Sequence, residues 1–520
     1  MLLLIALATA LIAPGGTPGA NGPIFNDCPP QLQRARCGTI RVPLDRANPS
    51  LGTTRIAFGL VHRRDTSQPS LGTIVPNPGG PGVAVLESSE SQYTRTLAPL
   101  LDRRDLLLVD PRGTGRSDRI SCSTLDGPAL AFASGEESLE RIGACGRELS
   151  RRAGAYNSAA VADDIEAVRA ALGLKRLDLW GDSYGTYLMP VYAARHPERV
   201  QSIVLNGAGG VGADPWGRDN LRAALWGIRL VCARTRACNG EAVLRDVARL
   251  ATRLRQHPIP FTFSAGNERL RARIDEAALA QIVWNGGDSS AFGRIPGAVT
   301  SALAGDFAPL QRLVANQTLG WAAILANPAF SSAQNFATNC NDYPRVFSYA
   351  DPPAARRAAY ERALKAIAPA GFWPFSPDAW TQTGQGGAQC LDWPNTPTSE
   401  TPLRAGSLPD VCVLVLSGDL DANSPSSAGR ETAARFRRGT FVEIPNAGHT
   451  PAAHSSCAMK LALRFVATLH VNARSCARTG PPPRVAGRAW RRRNGSRCPP
   501  FGPRRSRQAP GVRTPATPDH

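Results

Sequence analysis

Six short apolar runs constrain what this chain can fold into, because each one ends abruptly in Gly, Asp or Pro. TIV at 73–75 leads into PNPGGPG, DLLLVD at 105–110 into PRGTGRSD, and LDLW at 177–180 into GDSYG. SIVLN at 202–206 leads into GAGG, VCVLVLSGD at 411–419 into LDANSP, and FVEIP at 441–445 into NAGH. The runs are apolar without alternation, as strands are when both faces of a sheet are covered. Helical patterns lie between them. In NSAAVADDIEAVRAAL at 157–172, Val161, Ile165, Val168 and Leu172 recur at three- and four-residue spacing, Asp163 and Asp164 sit near the positive end of the helix dipole, and Gly173 stops it. Strands alternating with helices predict an α/β fold with a mostly parallel sheet flanked by helices.

The rhythm breaks between about 215 and 400, where helical stretches dominate, among them Trp216–Arg236 and Glu241–Gln256. The simplest organisation is a sheet domain interrupted by a helical insertion. At 520 residues the chain is too long for one small unit. The expected divisions are a signal-like segment over 1–22, the first part of the sheet domain over 23–214, a mainly helical cap insertion over 215–400, the closing part of the sheet domain over 401–476, and a basic tail over 477–520.

The formal charge of +19 invites a nucleic-acid reading, but its distribution argues against one. The last 43 residues hold eleven Arg and one Asp, which leaves about +9 on the preceding 477. That tail is rich in Pro and Gly and is expected to be solvated and disordered. Contact with an anionic surface, lipid or cell-wall polymer, is the alternative use for it. The opening MLLLIALATALIAPG is too short to span a bilayer, which takes about 20 apolar residues, and suits the apolar part of a secretory signal. No Lys or Arg precedes it. Twelve cysteines fit the same destination: Cys28 and Cys37, Cys122 and Cys145, Cys232 and Cys238, and Cys457 and Cys476 lie close in sequence, as disulfides of a secreted or periplasmic protein would. Cys412, in an apolar strand, and Cys498, in the tail, are the ones expected to stay unpaired. No Cys/His group has zinc spacing, so no metal is expected.

Ser183 lies in Gly181-Asp182-Ser183-Tyr184-Gly185. In a chain with 49 glycines the bare pattern carries little, but its setting carries more. LDLW precedes it and TYLMPVYAAR follows, which is strand, tight turn, helix, the elbow that exposes a nucleophilic serine. A serine nucleophile needs a base, a group to orient that base, and donors for the oxyanion. In sheets of this kind acid and base follow the serine in the order Asp or Glu, then His. Four of the seven His lie beyond residue 400. His449, in a loop straight after an apolar strand, is the expected base. His454 falls where a helix starts, His470 inside an apolar helical stretch and His520 at the end of the tail. The loop after 411–419 offers Asp419 and Asp421; Asp421, further into the loop, is the expected acid, with Asp419 a turn or capping residue. The oxyanion donors are expected to be the Tyr184 N–H and the glycine loop at 76–82, specifically Gly80. That loop lacks the Gly-Lys-Ser/Thr of a phosphate loop, and no G-x-G-x-x-G opens a helix after the first strand, so no cofactor is called for.

Taken together, NPGGPG at 77–82, DPRGTGRSD at 110–118, GDSYGTYL at 181–188, GDLDANSP at 418–425 and NAGH at 446–449 resemble α/β-hydrolase fold peptidases of the prolyl iminopeptidase type, and most closely the secreted bacterial tripeptidyl aminopeptidases. ATNCNDYP at 337–344 and CLDWP at 390–394 are also similar to that family, and the resemblance spans about residues 25–476. It implies an α/β-hydrolase fold, places Ser183, Asp421 and His449 at the triad positions, and makes 400–476 the family's C-terminal region. Asn77-Pro78 stand where many prolyl iminopeptidases have His, and Ser424 stands where Thr is usual in the tripeptidyl group. The function implied is a serine exopeptidase releasing tripeptides, short peptides or single residues from free N-termini. An esterase or another small-molecule hydrolase with the same triad is the alternative, and a hydrolase fold used only for binding is disfavoured by the intact site. An aminopeptidase needs a carboxylate for the substrate ammonium; Asp342 in NCNDYP and Asp392 in CLDWP are the candidates, brought near one another if Cys340 and Cys390 are bonded.

Overall fold

Each of the six apolar runs is a strand of one nine-stranded sheet in the computed structural model, which describes residues 22–486 apart from 33, 89–91, 210–213, 385–386, 396–407, 473–475 and 477–479. In chain order the strands are β1 (Ile24–Asn26), β2 (Ala35–Pro43), β3 (Thr53–Val61), β4 (Thr73–Asn77), β5 (Asp105–Val109), β6 (Leu177–Asp182), β7 (Val200–Asn206), β8 (Ile259–Ala265), β9 (Glu268–Ile274), β10 (Cys412–Gly418) and β11 (Arg438–Ile444). The sheet runs β1-β2-β3-β5-β4-β6-β7-β10-β11. Its first three pairings are antiparallel, and every pairing from β5–β4 to β10–β11 is parallel. Each residue of β4, β5 and β6 is buried, which is why those runs show no alternation.

Two apolar clusters cover the two faces of the sheet. One gathers Val161, Ile165 and Val168 of the Ser158–Ala171 helix with Leu188 and Met189 of the Gly185–Arg195 helix; the other includes Tyr93, Leu97, Leu461 and Phe465. The expected helix at 157–172 is capped by Asn157, whose side chain accepts the Ala160 N–H. A third cluster fills the insertion, where the Arg218–Thr235 and Gly240–Gln256 helices pack on Phe292, Ile295 and Val299.

Two features differ from the sequence reading. The insertion holds an antiparallel hairpin, β8–β9, paired from Ile259↔Ile274 to Ala265↔Glu268. Its strand β8 alternates half-buried and exposed residues, a period-two signal inside an otherwise helical stretch. The tail expected to be solvated and disordered from 477 makes contacts within its described residues. The Ala486 N–H donates to the Gly293 carbonyl at 2.9 Å and Val485 packs on the insertion core. The signal-like segment and residues 487–520 lie outside the described residues. Among the described residues no helix is long and apolar enough to cross a membrane.

Five disulfides close the expected local pairs, Cys28–Cys37, Cys122–Cys145, Cys232–Cys238 and Cys457–Cys476, and also Cys340–Cys390. Cys412 is the one free cysteine among the described residues, and Cys498 lies outside them. Alkylation of the unreduced, unfolded protein should therefore label no more than Cys412 and Cys498. Intact mass with and without reduction checks this; ten or more labelled cysteines before reduction would contradict the bridges.

Candidate active site

The parallel strands deliver four loops to one end of the sheet, at the carboxyl ends of β4, β6, β10 and β11, the edge where open α/β sheets bind ligands. The loop after β6 is the serine elbow. Ser183 has a left-handed backbone, φ 53°. Such strain costs on the order of 1–3 kcal/mol in a non-glycine residue and persists only where the surroundings over-determine it. Here they do. The Ser183 N–H donates to the Asn206 carbonyl of β7 at 3.1 Å, and the Ser183 carbonyl accepts from Thr186 N–H at 2.8 Å as the Gly185–Arg195 helix begins. A Cβ at Gly181 would lie 2.3 Å from the Gly185 carbonyl oxygen, and one at Gly185 would lie 2.6 Å from the Asn77 carbonyl oxygen. Both flanking glycines are therefore dictated by backbone packing.

The loops after β10 and β11 bring Asp421 and His449 to that serine. His449 Nε2 is 2.8 Å from Ser183 Oγ, and His449 Nδ1 is 2.9 Å from Asp421 Oδ2. Asp421 Oδ1 accepts the N–H groups of Asn423 (2.9 Å) and Ser424 (2.8 Å), which fixes the carboxylate. The pair can hold Nδ1–H toward Asp421 and leave Nε2 to take a proton from Ser183. Burial acts to lower the His449 pKa, but the Asp421 carboxylate, with Asp182 behind it, outweighs burial and holds it above the ordinary value of 6.5. Asp419, the other acid of this loop, turns away to accept the Asn446 N–H at 2.7 Å. His454 sits in the short Pro451–His454 helix and His470 is exposed; His520 lies outside the described residues.

The glycine loop after β4 lies over the elbow. A Cβ at Gly79 would stand 2.7 Å from Ser183 Cβ and 3.1 Å from Tyr184 N, and Gly79 and Gly80 both have positive φ, 99° and 105°. The Gly79 backbone thus packs against both the serine and the Tyr184 N–H, whereas Gly80, the expected donor, faces Gly82 and Val83 at its own Cα.

Several residues of this site escape sequence reasoning. Asp182 is buried under the elbow and accepts from Tyr93 OH (2.6 Å), Asn206 Nδ2 (2.6 Å) and Trp180 Nε1; burial pushes its pKa up. Asn206 in turn accepts the Ala452 N–H at 2.9 Å, so one side chain ties the elbow to the segment after His449. The SIVLNG sequence marks the end of β7 but not this role. Asn423 Nδ2 lies 3.2 Å from His449 Nε2, and the Gly287 carbonyl of the insertion accepts the His449 N–H at 2.9 Å.

The two acids expected to anchor a substrate have different surroundings. Asp342, at the end of the Ser332–Asp342 helix, accepts Ser158 N–H (2.8 Å) and Ser158 Oγ–H (2.6 Å) on Oδ2. Ser158 Oγ is 2.7 Å from the hydroxyl of Tyr184, the residue after the serine. Asp342 Oδ1 is buried with no hydrogen-bond partner. Burial, opposed by the Ser158 bonds, pushes the Asp342 pKa up to about 7. The Tyr187 and Tyr343 rings stand 5.4 Å apart, and their hydroxyl pKa values are raised by burial and by the Asp342 charge. Asp392 is not left open in this way: its carboxylate pairs with Arg357 and packs on Gly143. The Cys340–Cys390 bridge forms, yet Asp392 is already neutralised by its own partner.

Residues 72–243 match the α/β-hydrolase fold and residues 376–477 match the TAP-like protein family. The chain is 32% identical over 199 residues to the serine protease Hip1 of Mycobacterium tuberculosis, a match covering 35% of this chain and 37% of that one. It is 31% identical over 189 residues to the tripeptidyl aminopeptidase of Streptomyces lividans, covering 33% and 35%. These matches span little more than a third of either relative's length. The solved proline iminopeptidase of Mycobacterium smegmatis aligns over 82% of this chain and 97% of its own at 14% identity and TM-score 0.33. The chain has the α/β-hydrolase fold, with a TAP-like match over its C-terminal residues 376–477.

Proposed function

We propose that this chain is an exported serine exopeptidase that removes short peptides from free N-termini. Ser183 is the nucleophile, His449 the general base and then the general acid, and Asp421 the group that orients His449 and stabilises its charged form. Ser183 Oγ attacks the scissile carbonyl as its proton passes to His449 Nε2. The oxyanion is met by the Tyr184 N–H and the Gly79–Gly80 backbone, with Gly80 as the expected donor. His449 then protonates the leaving amine, and water, activated by the same base, releases the acyl group. Relatives named as a serine protease and as a tripeptidyl aminopeptidase support peptide substrates, and five disulfides support an oxidising destination.

The observation that carries the N-terminal specificity is Asp342. A buried carboxylate oxygen without a partner, with Tyr187 and Tyr343 beside it and one hydroxyl chain from the elbow, lacks one thing, a cationic donor. A substrate ammonium supplies it, by charge-assisted hydrogen bond to Oδ1 and by contact with aromatic faces. Asp392, engaged by Arg357, is left a structural role.

Ser183→Ala should lower turnover by several orders of magnitude, whereas His454→Ala should leave it near normal. Because His449 must be neutral to act as base and its pKa is held above 6.5, kcat/KM should fall as pH drops through a midpoint above that value. Asp421→Asn should both move the midpoint down and cut turnover by roughly a thousandfold or more. A pH profile with an unshifted midpoint in Asp421→Asn would break the assignment of the acid.

Hydrolysis of tripeptidyl- and aminoacyl-nitroanilides, free and N-acetylated, beside p-nitrophenyl esters, tests the specificity. Acetylation removes the cation and leaves Asp342 Oδ1 unpaired, so kcat/KM should fall by at least roughly tenfold to a hundredfold, about 1.4 kcal/mol per factor of ten. Asp342→Asn should erase most of that preference and Asp392→Asn should not. Equal cleavage of free and blocked peptides would replace the exopeptidase reading with a general hydrolase.

A further inference from the structure

The loops that carry Asp421 and His449 are held from the insertion side at three separate points. At the first, Arg234 extends from the last turn of the Arg218–Thr235 helix, with Nη2 2.6 Å from Asp419 Oδ2 and Nη1 2.7 Å from Asn446 Oδ1. Asp419 lies two residues before Asp421, and Asn446 three before His449. Asp419 Oδ1 also accepts the Asn446 N–H at 2.7 Å, where Asn446 is held in a left-handed conformation, φ 58°. One guanidinium therefore closes a ring through both loops. The Asp419 side chain is only 6% exposed, so removing that partner would leave a carboxylate buried and unpaired.

At the second point Asn220, in the first turn of the same helix, donates Nδ2 to the carbonyls of Ala422 (3.0 Å) and Asn423 (2.8 Å). Asn220 and Arg234 are fourteen residues apart, about 21 Å of helix at 1.5 Å per residue, so the helix lies along the acid loop and grips it at both ends. At the third point the Gly287 carbonyl accepts the His449 N–H. Gly287 has φ 85°, and a Cβ there would lie 2.6 Å from His449 Cβ. The Cys232–Cys238 bridge closes the short loop that contains Arg234 and fixes the helix end that presents it.

We infer that Arg234 is a positioning residue: through Asp419 and Asn446 it sets the relative placement of Asp421 and His449, so that the insertion completes the proton relay as well as covering it. This rests on the reading of Ser183 and His449 as nucleophile and base. A displacement of about 1 Å at the reacting groups can cost on the order of a hundredfold in rate, and Arg234 acts on the relay without reaching substrate.

The test is the rate at which a fluorophosphonate labels Ser183, measured with kcat and KM on the best nitroanilide, for the full chain carrying Arg234→Ala, Arg234→Lys, Asp419→Asn or Arg222→Ala. Arg222 sits on the same helix and pairs with Asp219. Arg234→Ala should slow labelling and kcat about tenfold or more while KM stays within about twofold, since the loss falls on the chemical step. Arg234→Lys, which keeps the charge and loses the two-armed reach, should recover part of the rate. Arg222→Ala should match the wild type. If Arg234→Ala does not fold, Asp419→Asn, which keeps the side-chain shape, should show the same split of kcat from KM. Labelling within twofold of wild type in Arg234→Ala or Asp419→Asn, or an equal loss in Arg222→Ala, overturns the inference and leaves the nucleophile assignment standing. No labelling of Ser183 in the wild type overturns both.

Discussion

Everything at the candidate site depends on a backbone-to-backbone contact that leaves no room for side chains. Gly181 abuts Gly185, Gly185 abuts the Asn77 carbonyl, and Gly79 abuts Ser183 and Tyr184. These contacts draw the ends of β4 and β6 together and force the turn in which Ser183 takes φ 53°. Once that turn is fixed, the serine hydroxyl stands out from the sheet edge and the following helix begins at once. Parallel neighbours β7, β10 and β11 then bring Asn206, at the end of β7, and the Asp421 and His449 loops to the same edge without further instruction. The geometry of the relay is thus a consequence of strand order and of three glycines, with side-chain contacts refining it.

The refinement is polar and buried, which makes it both expensive and specific. Asp182 has three hydrogen-bond donors around it in the core. Arg112 of the DPRGTG segment is fully buried and makes a two-armed contact with Asp164, at 2.7 Å on each side, while Nη1 donates to the Ala155 carbonyl. Asp110, pushed up to about 6 by burial, accepts the N–H groups of Leu86 and Arg116, joining the segment after the glycine loop to the turn after β5. Removing one member of such a pair leaves an uncompensated charge and costs about 3–5 kcal/mol. The DPRGTGRSD motif is therefore accounted for by scaffolding: its polar groups hold the loops around the site and none of them reaches Ser183.

What the sequence made legible follows from how local each signal is. The six apolar runs were readable as strands because burial on both faces removes alternation over a few consecutive residues. Ser183 was readable because strand, glycines and helix fall within one short window, and Asp421 and His449 because each follows a strand directly. The antiparallel β2 and the β8–β9 hairpin were not read, since buried and exposed residues are mixed along them, and β3 was missed although Ile56–Leu60 is buried throughout. Asp392 was singled out as an open acid because its partner Arg357 lies 35 residues away in sequence. Arg234 was invisible for the same reason, its partners Asp419 and Asn446 being 185 and 212 residues distant. Contacts of that range belong to the packing of the insertion on the sheet, which no local pattern encodes. The opening of the tail is a similar case: a Pro-rich, basic composition argues for solvation, yet Ala486 finds a backbone partner at Gly293, where a Cβ would collide with the Arg484 carbonyl.

Asp342 shows how the proposed specificity and the stability of the fold bear on one another. Its Oδ2 is engaged by the start of the Ser158–Ala171 helix, so the residue has a structural reason to be where it is. That reason explains one oxygen only. The other is buried and unpartnered, an arrangement that costs about 1–3 kcal/mol in a folded chain and more when the group is charged. With a pKa of about 7, the carboxyl can shed part of that cost by holding a proton when the site is empty. Binding of an ammonium reverses the balance, because a cation at Oδ1 favours the ionised form and supplies the missing donor. The free energy withheld from folding then reappears as binding energy for a cationic N-terminus, and an acetylated one cannot draw on it. On the proposed reading, the same buried oxygen that weakens the empty protein is what distinguishes a chain end from a chain interior.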